Sequence, residues 1–119
     1  GDSKALLFRR GNVAYASADH SITVASFEAS GKRYLTQSLG ARRSVIPSVH
    51  EFELEEGDII VLCSDGLSDI LSLGDIIEGC TSSEPAVAAA ELVSRARANG
   101  GTDDVSVVIV RVLGGEEPA

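Results

Sequence analysis

Apolar residues in this chain fall into short runs, and the runs differ in period. Residues 5–9 and Asn12–Ala16 are two strand-like runs separated by Arg10-Gly11. That spacing predicts a tight hairpin. Residues 17–47 show no regular period. A connection of that length in a compact domain carries structure or function of its own, and a short helix is expected within it. In residues 48–54, Val49, Phe52 and Leu54 stand among polar neighbours, which reads as a half-exposed strand. Glu55-Glu56-Gly57-Asp58 then makes a turn into the continuously apolar Ile59–Cys63. The two runs are expected to pair as a hairpin with its second strand buried.

The pattern turns helical after residue 71. Ser72 is followed three residues later by Asp75, a capping-box spacing that predicts a short helix over 72–78. Cys80 then falls in a loop-like stretch. A longer helix starts with Ser83 as the expected N-cap and with Glu84 and Pro85 in its first turn. Ala89, Leu92, Val93 and Ala96 share one face, and Asn99-Gly100-Gly101 ends the helix. Residues 105–113 are almost unbroken in apolarity and rich in valine, as in a central buried strand. The domain is expected over 1–113, with 114–119 as a flexible tail.

Composition narrows the class. The 119 residues are 44% hydrophobic and 24% charged, which suits one globular domain. Ten Lys and Arg against 18 Asp and Glu leave a net charge of −8. No basic stripe compensates, so nucleic acid is not an expected partner. No apolar run approaches the ~18 residues of a membrane span. No basic segment followed by an apolar run opens the sequence, so no secretory signal is expected. Cys63 and Cys80 lack metal-ligand spacing and read as two free thiols in a reducing cytoplasm.

Acidic residues supply the candidate chemistry. Asp65 and Asp69 follow the buried strand Ile59–Cys63, and Asp103 and Asp104 precede the last strand. If those strands are antiparallel neighbours, the end of one lies beside the start of the other. Carboxylates collected there suit a hard divalent cation such as Mg²⁺ or Mn²⁺. Asp2, ahead of the first strand, could join them. The other reading is that Asp-Gly is turn chemistry and the acids are a solvated face. Spacing alone leaves both open. His20, between Asp19 and Ser21, and His50 are the only imidazoles. Neighbours in sequence seldom meet in triad geometry, and His50 reads as a surface residue.

Five segments together carry a family resemblance. They are Gly1-Asp2-Ser3-Lys4, Asp19-His20-Ser21, Leu35-Thr36-Gln37-Ser38-Leu39-Gly40, the block from Gly57 through Cys63-Ser64-Asp65-Gly66-Leu67-Ser68-Asp69, and Gly100-Gly101-Thr102-Asp103-Asp104 with the valines after it. In this order they resemble motifs of the metal-dependent protein phosphatases, the type 2C or PPM serine/threonine phosphatases. The resemblance spans nearly the whole chain and corresponds to the C-terminal half of that domain.

The resemblance implies an α+β fold, an antiparallel β-sandwich flanked by helices in α/β/β/α layers, here in a partial or reduced version. It implies Mg²⁺ or Mn²⁺ as cofactor and phosphoserine or phosphothreonine on a phosphoprotein as substrate, hydrolysed by metal-activated water. Asp65 and Asp103 match ligands of the catalytic metals, and Asp2, Asp65 and Asp69 match the group around a third, weaker metal. Asp104 stands where the family has Asn and is a candidate accessory acid. Lys4, Gln37 and Ser106 replace Arg, Arg and Thr. The family's Asp-Gly-x-Gly-Gly stretch, which supplies the carboxylate bridging two metals, does not occur in these 119 residues. A complete two-metal site therefore calls for a missing N-terminal half or a second copy. The alternative is a non-catalytic, phosphatase-derived module used for protein interaction or regulation.

Overall fold

In the computed structural model, residues 1–24 and 32–115 are described. They divide into two compact units, one of residues 1–2, 18–24 and 32–52, the other of residues 3–17 and 53–115. In the second unit, β1 (Lys4–Arg9) and β2 (Asn12–Ala16) form the expected hairpin. Arg10 (φ 50°) and Gly11 (φ 75°) both take positive φ. A two-residue turn of this hand requires that at both positions, and Gly11 supplies one without strain. β5 (Ile59–Cys63) lies between β1 and β6 (Val107–Arg111), antiparallel to both, in the order β2-β1-β5-β6.

Three helices pack with one face of this sheet. They are α1 (Asp65–Ser68), α2 (Leu73–Thr81) and α3 (Pro85–Ala98). Alternate residues of the strands, Leu6, Phe8, Ile59, Val61 and Cys63, meet Leu67, Leu71, Ile76, Cys80, Leu92 and Ala96 in a single core. At about 25 cal/mol per Å² of apolar surface removed from water, this cluster is the main stabilising term. α2 starts as its sequence dictates. The Ser72 hydroxyl accepts from Asp75 N–H at 3.1 Å, and the Asp75 carboxylate accepts from Ser72 N–H at 3.2 Å. The helix runs on to Thr81, so Cys80 is a buried helix residue and not part of a loop. α3 begins one residue later than expected: Pro85 occupies the first turn, which makes Glu84 the N-cap in place of Ser83.

Other expectations change more. Residues 48–54 form no strand and are exposed, because both edges of β5 are already taken by β1 and β6. β6 is an edge strand, not a central one, and its residues alternate between half-buried and exposed. Val107 and Ile109 pack against the core, while Val108 is 54% exposed. In the first unit, β3 (Ser21–Val24) and β4 (Lys32–Leu35) pair antiparallel where a short helix was expected. Residues 25–31 of that segment lie outside the described residues, as do 116–119 of the expected tail. No helix among the described residues is long and apolar enough to cross a membrane.

One buried charge ties the sheet to the turn before β5. Asp58 is 1% exposed, and Arg9 donates to both of its carboxylate oxygens, at 3.0 and 2.8 Å. Glu55 N–H adds a bond of 2.8 Å. The Arg9 hydrogen bonds, then the Glu55 amide, hold the Asp58 carboxyl down at about 2, below its usual 3.8. The unfolded chain therefore takes up this proton first as pH falls. The Arg9–Asp58 contribution to stability is complete above about pH 4 and is lost on acidification towards pH 2. Acid titrations followed by circular dichroism are expected to show Asp58→Asn with a shallower loss of stability over that window than the parent chain.

Candidate metal centre

β5 and β6 are neighbours and antiparallel, with Cys63 opposite Val107. The end of β5 therefore lies beside the start of β6, the arrangement on which the cation reading of the acids was conditional. Beyond the last ladder pair the two chains stay together. Ser64 N–H donates to Ser106 O at 3.0 Å, and Ser106 N–H donates to the Ser64 hydroxyl at 2.9 Å. That hydroxyl in turn donates to Asp104 O at 3.4 Å. Gly66 lies so close to the same carbonyl that a Cβ on it would overlap the Asp104 oxygen and stand 3.0 Å from the Asp104 carbonyl carbon.

Asp65, Asp69, Asp103 and Asp104 lie in the segments that meet at this junction. Asp65 is the first residue of α1 and half-buried. Asp69, the C-cap of α1, is exposed, and its N–H donates to Asp65 O at 2.9 Å. Asp103 and Asp104 are exposed in the loop before β6, and the Asp103 Oδ1 accepts from Asp104 N–H at 2.8 Å. Backbone topology thus brings the Asp65 turn to the loop that carries Asp103 and Asp104. Among the described residues, no three His, Cys, Asp or Glu side chains gather into a group able to hold a metal ion. The donor set at the junction still fits a hard cation. Magnesium-type ions are commonly held by one or two carboxylates with water filling the remaining positions.

Asp2 belongs to the first unit. There His20 ties several segments together. Its N–H donates to Gly1 O at 2.8 Å, its carbonyl accepts from Thr36 N–H at 2.7 Å, and its Nε2 is hydrogen-bonded to the Ser48 hydroxyl at 3.1 Å. Gln37 is engaged by its Oε1, which accepts from Ile46 N–H at 2.8 Å. His50 is exposed, as expected, and stacks on Phe52 at 6.4 Å between ring centres.

The cysteines are both free and buried. Burial raises the Cys63 thiol, and burial together with the neighbouring Cys63 pushes Cys80 up to about 11. Both stay protonated near neutrality and act as small apolar core residues.

Ser64 and Gly66 had no role of their own in the sequence pattern. Their signal was present in the Ser-Asp-Gly-Leu block. Its meaning needs β6, forty residues away.

Known proteins match this architecture. The Stage II sporulation protein E (SpoIIE) family matches over residues 6–113. The serine/threonine protein phosphatase PstP of Mycobacterium tuberculosis is 32% identical over 123 residues, covering 95% of this chain and 24% of that protein. The serine/threonine phosphatase of S. agalactiae superposes with a TM-score of 0.81 at 31% identity, over 94% of this chain and 51% of that one. The catalytic domain of PstP, solved in complex with two manganese ions, superposes with a TM-score of 0.71 at 29% identity, over 96% of this chain and 51% of that one. The chain thus spans about half of the solved phosphatase domains it resembles and a quarter of full-length PstP. With nearly its whole length matched, the chain belongs to the SpoIIE/PPM phosphatase family.

Proposed function

We propose that this chain supplies the C-terminal half of a Mg²⁺- or Mn²⁺-dependent phosphatase that hydrolyses phosphoserine and phosphothreonine on proteins. The observation that carries this reading is the β5–β6 junction, which sets the Asp65 turn against the Asp103–Asp104 loop in a chain of this family. Asp65 and Asp103 are the proposed ligands of the catalytic cation. Asp69 is a proposed further ligand on the same helical turn, and Asp2 is assigned by the resemblance alone. When bound, the cation would lower the pKa of a water and stabilise charge developing on the phosphoryl oxygens. The chain's own part is to hold ligand oxygens at the junction. Asp104 adds negative charge beside them, which favours a cation over the dianionic product. Two free thiols suit the reducing cytoplasm as the place of action.

The same reading proposes a partner. Leu62 and Val108 are opposite each other in the β5–β6 ladder, and with Val110 they are exposed. In the alternation of the strands they lie on the face away from the helix-covered core. Three neighbouring aliphatic side chains in water on one face of a sheet make a surface that a further layer would cover. We assign that layer to the half of the domain that the solved relatives possess and this chain does not span.

The test is Mn²⁺-dependent hydrolysis of a phosphothreonine peptide with and without chelator, by this chain alone and by this chain joined to the N-terminal half of the PstP domain. The joined protein is expected to turn over in a chelator-sensitive way, and the chain alone is expected to show little activity. A joined protein that folds but stays inactive favours the second reading, a non-catalytic module for protein interaction. Only the incomplete acidic group recommends that reading.

A further inference from the structure

We propose that Ser64 is a positioning residue for the cation ligands Asp65 and Asp103, an inference that rests on the ligand roles proposed above. Ser64 is the N-cap of α1, and a serine there normally turns its hydroxyl onto its own helix. Ser72 does so at the start of α2. Ser64 makes no such bond. Its hydroxyl crosses to the segment that leads into β6, accepting from Ser106 N–H at 2.9 Å and donating to Asp104 O at 3.4 Å.

This geometry links the two ligands through the chain. Ser64 is covalently next to Asp65, and Asp104 is covalently next to Asp103. The Asp103 carboxylate is itself fixed by the Asp104 amide at 2.8 Å. A displacement of the Asp104 backbone therefore carries the Asp103 oxygens with it. Cation sites tolerate only a few tenths of an ångström in ligand distance, so a bond that fixes the spacing of two ligand-bearing loops acts on affinity. A bond that only stabilised the sheet would act on folding and leave affinity alone.

The experiment separates the two. Mn²⁺ affinity of the 119-residue chain is measured by calorimetry for Ser64→Ala, Ser64→Thr, Asp65→Asn and Val61→Ala, with the melting midpoint of each variant without metal. Val61 is fully buried in the core, so Val61→Ala lowers stability away from the junction. The expected result is a weakening of about tenfold for Ser64→Ala, recovery for Ser64→Thr, which keeps the hydroxyl, and no change for Val61→Ala. If Ser64→Ala does not fold, Ser64→Cys is read in its place, since it keeps a similar shape with weaker bonds. Affinity within twofold of the parent in Ser64→Ala, alongside loss in Asp65→Asn, would overturn the positioning role and leave the ligand reading standing. Equal weakening in Val61→Ala would also overturn it. If neither Asp65→Asn nor Ser64→Ala changes binding, or if neither the 119-residue chain nor the chain joined to the N-terminal half of the PstP domain binds Mn²⁺, the ligand reading falls and takes this inference with it.

Discussion

Replacing Asp65 or Asp103 by asparagine is expected to weaken Mn²⁺ binding by about a hundredfold or more, with secondary structure unchanged by circular dichroism. Asparagine keeps the size of the side chain and one oxygen but removes the charge, and a hard divalent ion depends on charged oxygen ligands. Loss of a residue that only supports a ligand already costs about ten- to a hundredfold, so loss of a ligand stands at or beyond the top of that range. Neither residue carries the fold: Asp103 is exposed, and Asp65 opens a helix of a single turn. Asp104→Asn, which matches the residue usual in the family, is expected to move affinity much less. Calorimetric titration of the three variants checks the ranking. An Asp104 effect as large as the Asp103 effect would place the ligand one residue later in the chain.

Gly66→Ala is expected to destabilise the second unit by about 3 kcal/mol, at the upper end of the range for overpacking. The new methyl group would meet the Asp104 carbonyl, which is main chain held at the β5–β6 junction and cannot rotate away. Relief requires the Asp65 turn and the Asp103–Asp104 loop to separate. That movement also breaks the Ser64 bonds to Ser106 and Asp104. A melting midpoint lower by about 15 °C is the expected reading for a unit of this size. A midpoint within about 2 °C of the parent would mean that the junction is looser than the structure describes.

Local signals explain which parts of the fold could be read from the sequence. The β1–β2 hairpin and the start of α2 depend on residues within four positions of each other, Arg10-Gly11 in one case and Ser72 with Asp75 in the other. β5 was legible because five successive apolar residues leave few alternatives. Its partner β1 was not, and β6 entered only as a conditional neighbour. Residues 48–54 have the alternation of a strand but lose the competition for β5 to β1, about fifty residues distant, and to β6. β6 looked central because it is apolar on both faces, yet only one face meets a core among the described residues.

The site shows the same division. The meeting of the Asp65 and Asp103 segments was conditional in the sequence on β5 and β6 being antiparallel neighbours, and the register of the two strands meets that condition. The crossing of the Ser64 hydroxyl to β6 was not, because the same residue in the same local sequence context could equally have capped α1.

Paramagnetic broadening by Mn²⁺ locates a bound cation most directly. Substoichiometric Mn²⁺ is added to the isotope-labelled 119-residue chain, and paramagnetic broadening of each backbone amide signal is recorded. The expected result is that the signals of residues 64–66 and 103–106 vanish first and return on addition of chelator. Broadening that spares both segments, or that spreads evenly over the acidic surface, would contradict a cation site at the β5–β6 junction.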